Sequence, residues 1–123
     1  MISVGESASV MHTYGAAEIE AFAALAGAMG LEPARIPEPL IAALFSYLLG
    51  TKLPGAGTNY LKQEMEFPAT AAAGEPLTAT VTVTRVRPDK QLVDLETVCR
   101  TATGTIVCQG RALVLARQGF AAA

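Results

Sequence analysis

The stretch Leu40-Ile41-Ala42-Ala43-Leu44-Phe45-Ser46-Tyr47-Leu48-Leu49-Gly50 constrains the fold of this chain more than any other. Leu40, Ile41, Leu44, Phe45 and Leu48 recur at helical spacing and form one stripe. Ala42, Ala43 and Leu49 fill most of the remaining circumference. Pro39 suits the first turn of such a helix, and Gly50 suits its C-terminal cap. A helix apolar almost all round is expected to be buried on all sides. It has about half the roughly 20 residues that a membrane span needs, so protein must bury it. In a chain of 123 residues, the rest of the molecule has to wrap around it.

The wrapper is legible downstream. After the loop Leu53-Pro54-Gly55-Ala56-Gly57, Thr58 to Phe67 reads as a strand anchored by Tyr60 and Met65. Gly74-Glu75-Pro76 turns the chain. Leu77, Ala79, Val81 and Val83 then alternate with Thr78, Thr80, Thr82 and Thr84, the period of a half-buried strand. Arg87-Pro88-Asp89-Lys90 is a second turn, followed by alternating Val93, Leu95, Thr97 and Cys99. Thr103-Gly104 turns again, and Ile106, Cys108, Gly110, Ala112 and Val114 carry the inner face of a last strand. Consecutive strands joined by tight turns imply antiparallel pairing.

Upstream, Ser3 to Met11 reads as a first strand. Ile19, Phe22, Ala23 and Ala26 mark one face of a helix, with Glu18 and Glu20 near its start, where the helix dipole favours negative charge. Gly27 and Gly30 end it. Met29 to Pro39 is an irregular bridge containing Pro33, Pro37 and Pro39. The order is strand, helix, buried helix, then four antiparallel strands. This predicts an α+β hotdog fold: a five-stranded antiparallel curved sheet wrapped around the central helix. Residues 1–116 form one domain and 117–123 a tail. Such a sheet covers one side of its helix well and leaves a bare edge, so pairing at least as a dimer is expected.

Composition narrows the function. Hydrophobic residues are 51% of the chain and charged residues 16%, enough to fill a core. A net charge of −2, with scattered Lys and Arg, gives no nucleic-acid footprint. No secretory leader is read at the N-terminus, so a cytoplasmic protein with no membrane partner is expected. One histidine and two cysteines without a CxxC spacing do not suggest a zinc site, and no cofactor is expected. Cys99 and Cys108, in strand-like runs, read as buried apolar residues rather than a redox pair.

The run from Tyr14-Gly15-Ala16-Ala17-Glu18 through Ala26-Gly27 resembles the first helix of MaoC-like (R)-specific enoyl-CoA hydratases. Leu49-Gly50-Thr51-Lys52-Leu53-Pro54-Gly55-Ala56-Gly57-Thr58-Asn59-Tyr60-Leu61-Lys62-Gln63 is similar to the run after that family's central helix. Gly74-Glu75-Pro76-Leu77 through Val83 resembles the strand that follows. The resemblance covers roughly Ser7 to Leu115. It implies an acyl-CoA or acyl-carrier thioester as ligand, with the acyl chain entering beside the central helix and the pantetheine crossing a dimer interface. It also implies hydration of a trans-2-enoyl thioester, which needs a carboxylate and an imidazole to hold and deprotonate water. A donor for the thioester oxygen, often a backbone N–H, completes that chemistry.

The sequence departs from the family where that chemistry sits. The family pattern after the first helix is Gly-Asp, Asn-Pro and a histidine, then an overhang ending in His-Gly. Here Ala28 follows Gly27, the segment up to Pro39 contains no histidine, and it is shorter by about one helix. Pro37 and Glu38 stand at the His-Gly positions, and Ala43 stands where a helix serine is usual. Glu38, Glu32 and His12 are the remaining candidates for acid/base work. Glu38 would serve only if desolvation raised its pKa; otherwise it is a helix-start acid. Arg35 could pair with either glutamate. Leu44, Tyr47, Gly55, Gly57, Asn59, Lys62 and Gln63 are the candidate ligand-binding residues. Lys52 and Arg85 could reach phosphates, although solvated side chains are the usual state of such residues.

Two functions follow from the resemblance. One is a non-catalytic member that binds an acyl thioester, as a homodimer or as the structural half of a heterodimer with a catalytic hydratase subunit. The other is an active hydratase or thioesterase with relocated or partner-supplied catalytic residues.

Overall fold

The computed structural model describes residues 2–26 and 35–117. Strand β1 (Ser7–Thr13) leads into helix α1 (Ala16–Ala26), and helix α2 (Glu38–Thr51) precedes β2 (Thr58–Glu66), β3 (Pro76–Arg87), β4 (Leu92–Thr101) and β5 (Ile106–Ala116). The five strands form one antiparallel sheet in the order β1-β3-β4-β5-β2. Helix α2 packs on the face built by β1, β2 and β3. The sheet thus covers one side of the central helix.

The alternation seen in the sequence becomes the inner wall. Leu77, Ala79, Val81 and Val83 of β3 are buried, as are Val93, Leu95, Thr97 and Cys99 of β4. Register carries these rows across the sheet: Ala79 faces Cys99 and Cys99 faces Cys108, while Val81 faces Thr97 and Thr97 faces Gly110. Ile41, Leu44, Phe45, Leu48 and Leu49 of α2 close the core from the other side. Burying each such leucine or phenylalanine contributes about 1.5–3 kcal/mol. Gly110 is needed for a different reason. A Cβ there would overlap the Glu64 carbonyl and stand 2.8 Å from its carbon, so only glycine lets β2 lie that close to β5.

Several boundaries differ from the sequence reading, each for a local reason. The first strand begins at Ser7 rather than Ser3, because Glu6 N–H closes a turn onto the Ser3 carbonyl at 3.1 Å and Gly5 adopts a φ of +91°. Gly50 is not the cap of α2: the helix continues to Thr51, and Lys52 ends it by donating its N–H to the Leu48 carbonyl at 2.9 Å. In β5, Val107 takes the buried position expected for Ile106, because a register irregularity beside Cys99 shifts the alternation.

The central helix is also not enclosed on all sides within one chain. Ala43, Ser46, Tyr47 and Gly50 are exposed. The two sheet edges are treated unequally. Lys52 Nζ donates to the Ser9 carbonyl on edge strand β1 at 3.2 Å. Edge strand β2 carries a bulge between Tyr60 and Lys62 that leaves Leu61 half-exposed. Bulges and lysines are devices that restrain indiscriminate edge pairing.

Candidate functional site

The expected acid/base region is the N-terminal end of α2. Backbone contacts fix it: Ile36 N–H donates to the Ala71 carbonyl at 2.9 Å, and Arg35 forms an isolated bridge with Ala72. Pro37, extended at φ −61° and ψ 140°, starts the helix without a side-chain cap. Its carbonyl accepts from Leu40 N–H at 3.0 Å. Glu38 follows in the first turn. Its side chain is half-exposed, with the Arg35 guanidinium 4.0 Å away. That is a loose ion pair at a helix start, where the dipole favours the carboxylate. Glu32, Ala28 and most of the bridge lie outside the described residues.

His12 is held elsewhere. It lies on β1, facing Leu77 of β3, and its Nε2 is 3.0 Å from Glu18 Oε2. Glu18 Oε1 accepts from Gly15 N–H at 3.4 Å. The hydrogen bond from His12 holds the Glu18 carboxyl below its ordinary value, and the Gly15 N–H acts in the same direction. The Tyr14 ring stands edge-on to the imidazole, with centroids 4.5 Å apart. The sequence places Glu18 only near a helix start, where the dipole favours negative charge. Its role as partner to His12 depends on the sharp β1–α1 corner at Tyr14-Gly15, which brings residues six apart together. Both side chains are close to half-exposed.

The candidate ligand-binding residues separate into groups. Leu44 is a buried core residue, while Tyr47, three positions later, is half-exposed with Lys52 Nζ 5.9 Å from its ring centroid. The loop after α2 is a compact turn. Gly55 and Gly57 have φ of +101° and +84°, which side-chain-bearing residues rarely adopt. Gly55 N–H donates to the Leu49 carbonyl at 3.0 Å, and Thr58 Oγ1 donates to the Gly55 carbonyl at 2.6 Å. The turn delivers the chain into β2, where Asn59 and Lys62 are exposed. Gln63 points inward, and its Nε2 is buried with no partner among the described residues.

An open trough of about 540 Å³ lies on the opposite, outer face of the sheet, lined by residues that include Glu64, Glu96, Val98, Arg100 and Gln109. Opposed charges line it, and it touches neither Leu44 nor Tyr47. Among the described residues, no three His, Cys, Asp or Glu side chains come together as a metal cage would require. No described helix is long and apolar enough to cross a membrane.

No family model matches the chain. Individual relatives do. The chain is 36% identical over 129 residues to an (R)-specific enoyl-CoA hydratase of Rhodospirillum rubrum, covering 93% of this chain and 88% of that protein. It is 38% identical over 126 residues to an (R)-specific enoyl-CoA hydratase of Aeromonas caviae, covering 92% and 94%. Among solved structures, the (R)-hydratase from A. caviae involved in PHA biosynthesis superposes with a TM-score of 0.86 at 36% identity, covering 92% of this chain and 96% of that one.

Proposed function

The chain belongs to the family of (R)-specific enoyl-CoA hydratases and has its hotdog fold, and from that premise we propose that it binds an acyl thioester as the non-catalytic member of a dimer. The observation that carries this reading is the position of the one histidine. Adding water across an enoyl thioester needs an imidazole and a carboxylate close to the double bond. His12 lies on edge strand β1 and is bonded to Glu18. Three strands separate it from β2, where Lys62 and Gln63 stand. Along the sheet this is roughly 19 Å, taking about 4.8 Å per strand. The segment where the family pattern carries its acid and base has Ala28 and no histidine.

Binding outlasts that loss. The ligand is an acyl-CoA or an acyl-carrier thioester. The glycine turn at Gly55 and Gly57 and the side chains of Asn59, Lys62 and Gln63 border the thioester, and Leu44 and Tyr47 flank the acyl chain. The exposed face of α2 and the free edge of β2 give a partner subunit two adjoining surfaces to cover. A signature-bearing hydratase subunit in the cytoplasm is the partner that would supply the missing acid/base pair. Calorimetric titration of the pure protein with butyryl-CoA, which has no double bond to hydrate, tests binding. Saturable heat is expected, and a flat titration contradicts the reading.

A second reading has one observation in its favour. The His12–Glu18 contact at 3.0 Å is a carboxylate-oriented imidazole, the arrangement of a general base. If it acts on an acyl thioester, His12→Gln and Glu18→Gln will each abolish turnover of crotonyl-CoA by the pure protein. If there is no turnover to abolish, the first reading stands.

A further inference from the structure

We propose that Cys99 and Cys108 are a modification site: a dithiol that the sheet holds in place to close into a reversible disulfide between β4 and β5. Residue type and spacing read the two only as buried apolar side chains. Register adds that they are direct partners across the antiparallel pair. Both are fully buried free thiols. Both lie on the inward face, two positions along β4 from Thr97 and four along β5 from Ala112, which are buried on that face. The two Cβ atoms therefore stand side by side.

The spacing suits the bond. Directly opposed residues of antiparallel strands have Cα atoms about 4.5–5.5 Å apart, within the roughly 4.4–6.8 Å that a disulfide spans. Their Cβ atoms are about 4.5–5.5 Å apart, where a disulfide needs about 3.5–4.5 Å. The strands must draw together by about 1 Å at this point. The irregularity beside Cys99 lies where that is easiest. Pairing passes from Cys99–Cys108 to Arg100–Ile106, so Val107 is an extra residue in β5. A bulge interrupts the ladder, and the backbone beside it can shift without moving the rest of the sheet. Burial first, and then the neighbouring Cys108, raise the Cys99 thiol, as expected of two sulfurs close together.

The oxidant is a small disulfide such as oxidised glutathione. One cysteine thiol loses its proton and attacks a glutathione sulfur. The glutathione S–S bond breaks, and the departing thiolate takes up that proton. The second cysteine then loses its proton and attacks the protein sulfur of the mixed disulfide. The Cys99–Cys108 bond forms, and the second glutathione leaves as a thiol. Two electrons and two protons have passed from the protein to glutathione, and excess reduced glutathione reverses both steps. The attacking species is a thiolate, which burial suppresses, so exchange runs through openings of the β4–β5 hairpin and not through the closed sheet. Only eight residues separate the two cysteines, so closure within one chain is favoured over cross-linking between chains.

The test is a redox titration of the full chain in mixtures of reduced and oxidised glutathione. Equilibrium is approached from both reduced and oxidised protein, quenched with acid and read by intact mass. The closed form is two hydrogens lighter than the reduced chain and runs as a single chain without reductant. The titration is run in native buffer and in guanidinium chloride. The closing constant is expected to be about tenfold or more larger in native buffer, because the sheet already holds together what the unfolded chain must bring together. By linkage, the closed form should then melt higher than the reduced one. Cys108→Ala should show no closed form and should keep glutathione on Cys99 once opened. A closing constant no larger in native buffer than in denaturant overturns the inference, because the fold would then hold the sulfurs apart. So does native wild-type protein that accumulates as the glutathione adduct or as chains linked to one another. The wild-type comparison decides the matter even if Cys108→Ala fails to fold.

Discussion

The Tyr14 hydroxyl donates a 2.6 Å hydrogen bond to the Leu40 carbonyl, tying the corner after β1 to the first turn of the central helix. The Tyr14 carbonyl in turn accepts from Gly74 N–H at 2.8 Å, just ahead of β3. One buried aromatic residue thus holds three parts of the chain at the end of α2 where the family's chemistry is expected. Tyr14→Phe keeps the ring and removes the hydroxyl, leaving the Leu40 carbonyl to find another donor. The expected cost is about 1 kcal/mol, read as a lower urea midpoint with an unchanged slope. An unchanged midpoint would show that the Leu40 carbonyl is satisfied without Tyr14.

The Glu18 carboxyl makes acid stability depend on the β1–α1 corner. Its pKa in the folded chain lies below the ordinary 4.5, chiefly through the hydrogen bond from His12. A depressed folded pKa gives a contribution that is fully present above the unfolded value and is lost as pH falls through the folded one. Melting temperatures of the wild type and Glu18→Gln should therefore differ above pH 4.5 and converge as the pH falls below it through the lowered value. A gap that stays constant across this range would mean that the carboxylate's charge plays no part.

Cys99 and Cys108 face each other across β4 and β5 as free thiols in the core. Burial pushes the Cys99 thiol up to about 12 and the Cys108 thiol up to about 11, with the Glu38 carboxylate adding to the second. The thiolate is the reactive form, so at neutral pH both should be inert. Iodoacetamide is expected to leave the native chain unlabelled and to add two groups per chain in denaturant, read by intact mass. Labelling of the native protein as fast as an exposed thiol would contradict the burial of both.

Much of the fold was legible because burial dictates periodicity. The alternation from Leu77 to Val83 and from Val93 to Cys99 reads directly as an inner wall, and the apolar run from Leu40 to Leu49 requires one. What escaped were features set by register rather than by residue type. The bulge at Leu61 and the irregularity beside Cys99 each move one residue between faces, and nothing in the residues there demands it. The helix passed through Gly50 because its C-terminus is closed two residues later by Lys52. At the site, the glycine turn was legible from the run Leu53 to Gly57, whereas the inward side chain of Gln63 was not, because the bulge between Tyr60 and Lys62 sets which face it takes. The His12–Glu18 contact was not, because it depends on how tightly the chain turns at Gly15. Thr97 could not be told from the threonines of β3 either: it is fully buried, whereas Thr78 and Thr84 are exposed.

The proposed non-catalytic role requires that this hydratase relative bind an acyl thioester without a proton-transfer pair near it. Loss of crotonyl-CoA absorbance in the presence of the pure protein is its most direct test. The account predicts no hydration above the uncatalysed rate from a preparation that still binds butyryl-CoA. Steady turnover by the pure protein, proportional to its concentration, would contradict it.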